Sequence, residues 1–136
     1  MPRECATILV VEDQQDTGHL MTRVLSFLGH QAVHVESGAQ ALSYVRASCP
    51  DAVLLDYMMP DMDGLAVLRQ LRSDPRTRDL PVIMFSAESD PRVVACAMRH
   101  GASEYWVKAS VGLHEMGARL ARWLPGTAGD KPDTVC

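Results

Sequence analysis

Five short apolar runs recur along the chain: TILVV at 7–11, AVHV at 32–35, AVLL at 52–55, VIMF at 82–85 and YWV at 105–107. Runs of this length with little polar alternation suit strands of a parallel sheet covered on both faces. The stretches between them read as helices. Leu20, Val24, Leu25 and Leu28 recur at steps of three and four, with Gly29 as a stop. Ser37 with Gln40 forms a capping-box pattern that opens a second helix through Leu42 and Val45. Asp63-Gly64 introduces a third, carrying Leu65, Leu68 and Leu71 and ended by Asp74-Pro75. Asp90-Pro91 joins a capping side chain to a proline at the first turn of a fourth, with Val94, Ala97 and Met98 before Gly101. Leu113, Met116, Leu120 and Leu124 mark the fifth, which stops at Pro125-Gly126.

Five repeats of strand then helix predict a doubly wound α/β sheet with right-handed crossovers. The 136 residues suffice for one such domain, and the small and polar residues from Gly126 to Cys136 read as a C-terminal tail. Charge changes the picture only by exclusion. A formal net charge of -4 with scattered arginines argues against direct nucleic-acid binding, which needs clustered cations. The apolar runs are too short to span a bilayer, and the polar start lacks a signal-peptide core, so a cytoplasmic protein is expected. Cys5, Cys49, Cys96 and Cys136 show no metal-ligand spacing and are expected to be reduced thiols. The five histidines likewise lack metal spacing and are expected at surface or half-buried positions.

In doubly wound sheets ligands bind beyond the carboxyl ends of the strands. The residues that follow the runs are Glu12 and Asp13, Glu36, Asp56, Ser86 and Lys108. If the first and third strands are neighbours, the carboxylates of Glu12, Asp13 and Asp56 meet at one rim with a hydroxyl and an ammonium. Clustered carboxylates repel unless a cation sits among them. Hard oxygen donors suit magnesium, and a carboxylate can attack phosphorus to give an acyl phosphate. Lys108 and Ser86 would then neutralise and hydrogen-bond the phosphoryl oxygens. The pattern is that of a phosphoryl-transfer site.

The segments ILVVED (8–13), LLDYMMPDMDG (54–64) and GASEYWVK (101–108) resemble a bacterial two-component response regulator receiver domain, in order and spacing, from Thr7 to Leu124. The resemblance implies a flavodoxin-like five-stranded parallel sheet of order 2-1-3-4-5 with five helices, filling residues 1–125 and leaving 126–136 as the tail. It implies that Asp56 accepts a phosphoryl group from a histidine kinase or a histidine phosphotransfer protein. It further implies Mg2+ held by Glu12, Asp13, Asp56 and the backbone carbonyl of Met58. Ser86, Lys108 and Tyr105 would stabilise the phosphoryl group and switch with it. The signal would be read by a protein target on the face of the fourth helix, fifth strand and fifth helix. A stand-alone receiver of the chemotaxis-regulator kind is expected, one that turns over no separate substrate and so is not an enzyme.

Two departures from the family pattern stand out. Ala109 follows Lys108 where the family usually has a cis proline, and Trp106 replaces a smaller aliphatic residue. Ala109 leaves open a degenerate receiver that binds partners without phosphorylation. A haloacid dehalogenase-type phosphatase would need an Asp-x-Asp pair after the first strand, where Glu12-Asp13-Gln14 stands. A flavin carrier would need a hydroxyl- and glycine-rich phosphate loop there, and Gln14-Gln15-Asp16 is not one.

Overall fold

A computed structural model of the chain describes residues 6–59 and 63–124. The expected tail at 126–136 lies outside the described residues. Strands β1 (Thr7–Val11), β2 (Gln31–Val35), β3 (Ala52–Leu55), β4 (Val82–Ser86) and β5 (Glu104–Val107) alternate with helices α1 (Gln15–Phe27), α2 (Gly38–Ala47), α3 (Gly64–Ser73), α4 (Pro91–Arg99) and α5 (Leu113–Ala121). The five strands are parallel in the order β2-β1-β3-β4-β5. That is the doubly wound, flavodoxin-like arrangement expected from the sequence.

The uninterrupted apolar runs are explained by helices on both faces of the sheet. Leu9, Val11, Val53, Leu55 and Met84 pack with Val67, Leu68 and Leu71 of α3, Leu42 and Val45 of α2, and Ala97 of α4. Ile8, Val10, Leu54, Ile83, Phe85 and Trp106 point the other way, against Met21 and Leu25 of α1 and Met116 and Leu120 of α5. Strands β3 and β4 are buried throughout, whereas the edge strand β2 is only half-buried. Alternate residues of one strand therefore feed two separate cores, which a period-two pattern confined to one face could not do.

Helix starts follow the polar signals, with two refinements. Asp63 Oδ1 accepts from Ala66 N at 2.8 Å, and Asp90 Oδ1 from Arg92 N at 2.9 Å. Ser37 Oγ accepts from Gln40 N at 3.1 Å, but the Gln40 side chain returns to the N–H of Glu36, not to that of Ser37. On α1 the buried stripe is Gly18, Met21 and Leu25, and Leu20, expected on the core side, is 61% exposed. Leu25 is fully buried and Val24 packs against the same core as expected, so Leu20 alone falls off the covered stripe.

Several long-range contacts set the frame around the sheet. Arg72 donates to the carbonyls of Gly101, Thr77 and Leu80, tying α3 to the turns before β4 and β5. Trp106, the bulky departure in β5, lies wholly inside the α1 and α5 layer, edge-on to Phe85 at 6.4 Å. Glu104 accepts from the indole N–H of both Trp106 and Trp123 at 2.7 Å, which fastens the end of α5 to β5. Cys49 is disulfide-bonded, while Cys96 is free. That corrects the expectation of uniformly reduced thiols. Among the described residues no helix is long and apolar enough to cross a membrane.

Candidate functional site

The register brings the carboxyl ends of β1 and β3 level. Val11 pairs with Leu55, so the next residues, Glu12 and Asp56, leave the sheet side by side. The Asp56 N–H still donates to the Val11 carbonyl at 3.0 Å, and the Glu12 N–H to that of Val35 at 3.0 Å. Both side chains are thus anchored by the last ladder hydrogen bonds of the central strands. Glu12 is 2% and Asp56 7% exposed, and Asp13 is half-buried. Carboxylate oxygens of the three residues lie within 4.8 Å of one another.

Lys108 enters from the end of β5. Its N–H donates to the Ser86 carbonyl at 2.8 Å, continuing the β4 to β5 pairing. Its Nζ donates to Glu12 Oε1 at 2.7 Å, lies 3.7 Å from Asp56 Oδ2, and sits 5.6 Å above the centre of the Phe85 ring. No peptide bond among the described residues is cis, so the Lys108–Ala109 link is trans and the ammonium still reaches the pocket. The cation favours Glu12 over Asp56 in this arrangement.

Burial pushes the Asp56 carboxyl up to about 6, and the Glu12 carboxylate beside it adds to the effect; Lys108 and the N–H of Met58 pull the other way. That Met58 N–H donates to Asp56 Oδ1 at 3.2 Å, placing Met58 two residues past the acceptor on the loop that rims the pocket. One ammonium against three carboxylates leaves the pocket negative. A set of hard oxygen donors with a negative balance fits a small divalent cation such as magnesium.

Ser86, 1% exposed, ends β4 with its Oγ accepting from Glu88 N at 3.2 Å. Tyr105, on β5, donates its hydroxyl to the Glu88 carbonyl at 2.8 Å. Burial pushes the Tyr105 hydroxyl up from its ordinary range, and a hydrogen bond with Ser86 opposes that. Ser86 and Tyr105 are therefore joined to the same turn between β4 and α4. Glu36, which also follows a strand, lies apart from the acidic triad and accepts from Gln15 Nε2 at 3.0 Å.

One site residue was not legible as such in the sequence. Gly64, the first residue of α3, donates its N–H to the Tyr57 carbonyl at 2.8 Å. A Cβ there would collide with the Asp56 carbonyl oxygen and come within 2.9 Å of Tyr57 Cα. The helix packs its backbone directly on the peptide that carries Asp56. Gly64→Ala is expected to cost about 1–3 kcal/mol, because the obstruction is backbone and cannot rotate away. Thermal unfolding, with its midpoint lowered by several degrees, checks this.

The fold and the pocket define a small doubly wound α/β domain with an acidic, lysine-bearing site at the point where strand order reverses. The chain belongs to the response regulator receiver domain family, whose pattern matches residues 8–120. Response regulator MprA of Mycobacterium sp. (strain KMS) is 38% identical over 128 residues, which are 93% of this chain and 54% of that protein. The chain thus spans about half the length of this relative. Among solved structures, the signal receiver domain of a signal transduction histidine kinase from Syntrophus aciditrophicus superposes with a TM-score of 0.82 at 30% identity, covering 96% of this chain and 98% of that one. The receiver domain of sensor histidine kinase PA1611 from Pseudomonas aeruginosa, solved with a magnesium ion coordinated in its active-site cleft, gives 0.79 at 27% identity over 87% of this chain and 96% of that one.

Proposed function

We propose that this receiver domain takes a phosphoryl group onto Asp56 from a phosphohistidine of a histidine kinase or a histidine phosphotransfer protein, in the presence of Mg2+. The observation that carries the reading is the buried Asp56 carboxylate, with two further carboxylates within 4.8 Å and Lys108 Nζ 3.7 Å away. An Asp56 oxygen attacks phosphorus, the O–P bond forms, the P–N bond to the histidine breaks, and the imidazole leaves with a proton. Asp13, Glu12, Asp56 and the Met58 carbonyl would hold the metal, which supplies charge neutralisation at the phosphoryl oxygens. Lys108 exchanges part of its contact with Glu12 for the new dianion. The Ser86 hydroxyl turns from its own turn to donate to a phosphoryl oxygen.

Such a rotation removes the Ser86 contact to Glu88 N, in the turn whose carbonyl Tyr105 holds. The turn leads into α4, so the charge change reaches the face made by α4, β5 and α5, where a protein target would read it. In this reading the domain acts on itself alone, as a cytoplasmic signalling protein that turns over no separate substrate. The test is an incubation with acetyl phosphate, followed by intact mass. A single phosphoryl adduct that forms with Mg2+ and does not form when EDTA is present throughout is expected. No adduct, or one indifferent to EDTA, would leave the phosphorylation-independent binding module as the better reading.

A further inference from the structure

We propose that His34 is a positioning residue for the acidic pocket, seated in a slot that Gly18 opens in α1, where it holds the Glu12 peptide through a hydrogen bond to its carbonyl. The inference rests on the metal-dependent reading above and deepens it. Glu12 is the first residue beyond β1. Its N–H keeps a ladder partner, and its carbonyl, beyond the last β1 to β2 pair, is met by His34 Nε2 at 2.7 Å. A carbonyl only accepts, so Nε2 carries the hydrogen.

His34 pairs with Val10 across the β1 to β2 register, and Val10 faces the α1 layer. The imidazole therefore points at α1, and α1 presents Gly18 to it. A Cβ at Gly18 would fall on the ring, against Nε2, Cε1 and Cδ2 at once. His19, one residue on, packs its ring edge-on to His34 with centroids 5.6 Å apart. A glycine inside a helix costs about 1 kcal/mol relative to alanine. Here the slot it leaves is filled by one ring, and that ring makes one directed hydrogen bond.

The bond lies at the peptide joining Glu12 to Asp13. Fixing the plane of that peptide orients both carboxylates as the chain turns out of the sheet, and the turn is completed by Gln14 N donating to Glu12 Oε2 at 3.2 Å and Gly18 N to the Gln14 carbonyl at 2.9 Å. Gly18 thus helps to end the same turn that His34 begins. Groups behind a metal ligand commonly alter metal affinity by tenfold or more when removed.

The experiment is a calorimetric titration of the whole chain with Mg2+ alone, with thermal unfolding in EDTA as the control for folding. His34→Phe keeps a ring in the slot and removes the donor, and is expected to weaken Mg2+ binding about tenfold with little change in unfolding temperature. His34→Gln, which can return an N–H to the carbonyl, is expected to recover most of the affinity. Gly18→Ala is expected to reproduce the loss by expelling the ring, and the Gly18→Ala, His34→Ala pair to be no worse than either single change. Unaltered affinity in His34→Phe, or losses in the pair that multiply to about a hundredfold as independent effects would, overturns the proposal. A wild-type chain that binds no Mg2+ overturns the functional reading instead, and the two failures are distinct.

Discussion

Asp56→Asn accepts no phosphoryl group from acetyl phosphate under conditions that label the wild-type chain completely, and it unfolds at a higher temperature than wild type in metal-free buffer at pH 7.5. The first result follows because an amide oxygen is a poor nucleophile and no other carboxylate takes its place. Glu12 is engaged by Lys108 and Gln14, and Asp13 belongs to the preceding strand end. Stoichiometric labelling of the variant, read by intact mass, would move the acceptor elsewhere.

The gain in stability separates loss of chemistry from loss of fold. The Asp56 carboxyl is raised from 3.8 to about 6, so the folded chain binds that proton more tightly than the unfolded chain. The resulting stabilisation is complete below about pH 4 and disappears as pH rises through about 6, leaving the ionised group a burden at neutral pH. Asparagine removes the burden. With one pKa unit equivalent to about 1.4 kcal/mol and with partial screening at the open side of the pocket, the gain is about 1–3 kcal/mol. It should vanish when both proteins are unfolded at pH 3.5, and a gain that persisted there would refute the electrostatic cause.

The second large effect is on metal affinity. Mg2+ must displace the proton that Asp56 holds below about pH 6. Affinity should therefore be level above about pH 7 and fall by about tenfold per pH unit below 6. Calorimetric titration between pH 5 and 8 measures it directly. Asp56→Asn should bind more weakly at pH 7.5 and lose most of the pH dependence across that range. A wild-type profile that stays level down to pH 4.5 would mean that burial and Glu12 do not raise this carboxyl.

Much of the site was readable because parallel strands place their last residues on a common rim. Once the runs ending at Val11, Leu55 and Phe85 are strands, the residues just past them can lie only at that rim. Lys108 follows the same logic, and with Ala109 in place of proline its Nζ still lies between Glu12 and Asp56. Leu20 shows the limit of periodicity. Steps of three and four describe a stripe, but a shift of one position rotates it by about 100°, and only the sheet beneath α1 decides which residue is covered.

By itself the amino-acid sequence determined the five strands, the five helices, most of their caps and which residues follow each strand. These depend on neighbours within a turn or on the apolar run of one segment, so the information is local. The tertiary structure decided which carboxylate holds Lys108, a contact across 96 positions, and that Gly64 must lack a side chain beside Asp56. It also decided that His34 serves Glu12 across 22 positions through a space that Gly18 leaves. Each of these is set by the register of strands and the seating of a helix on them. No local pattern encodes the separation of two backbones that meet only when the chain has folded.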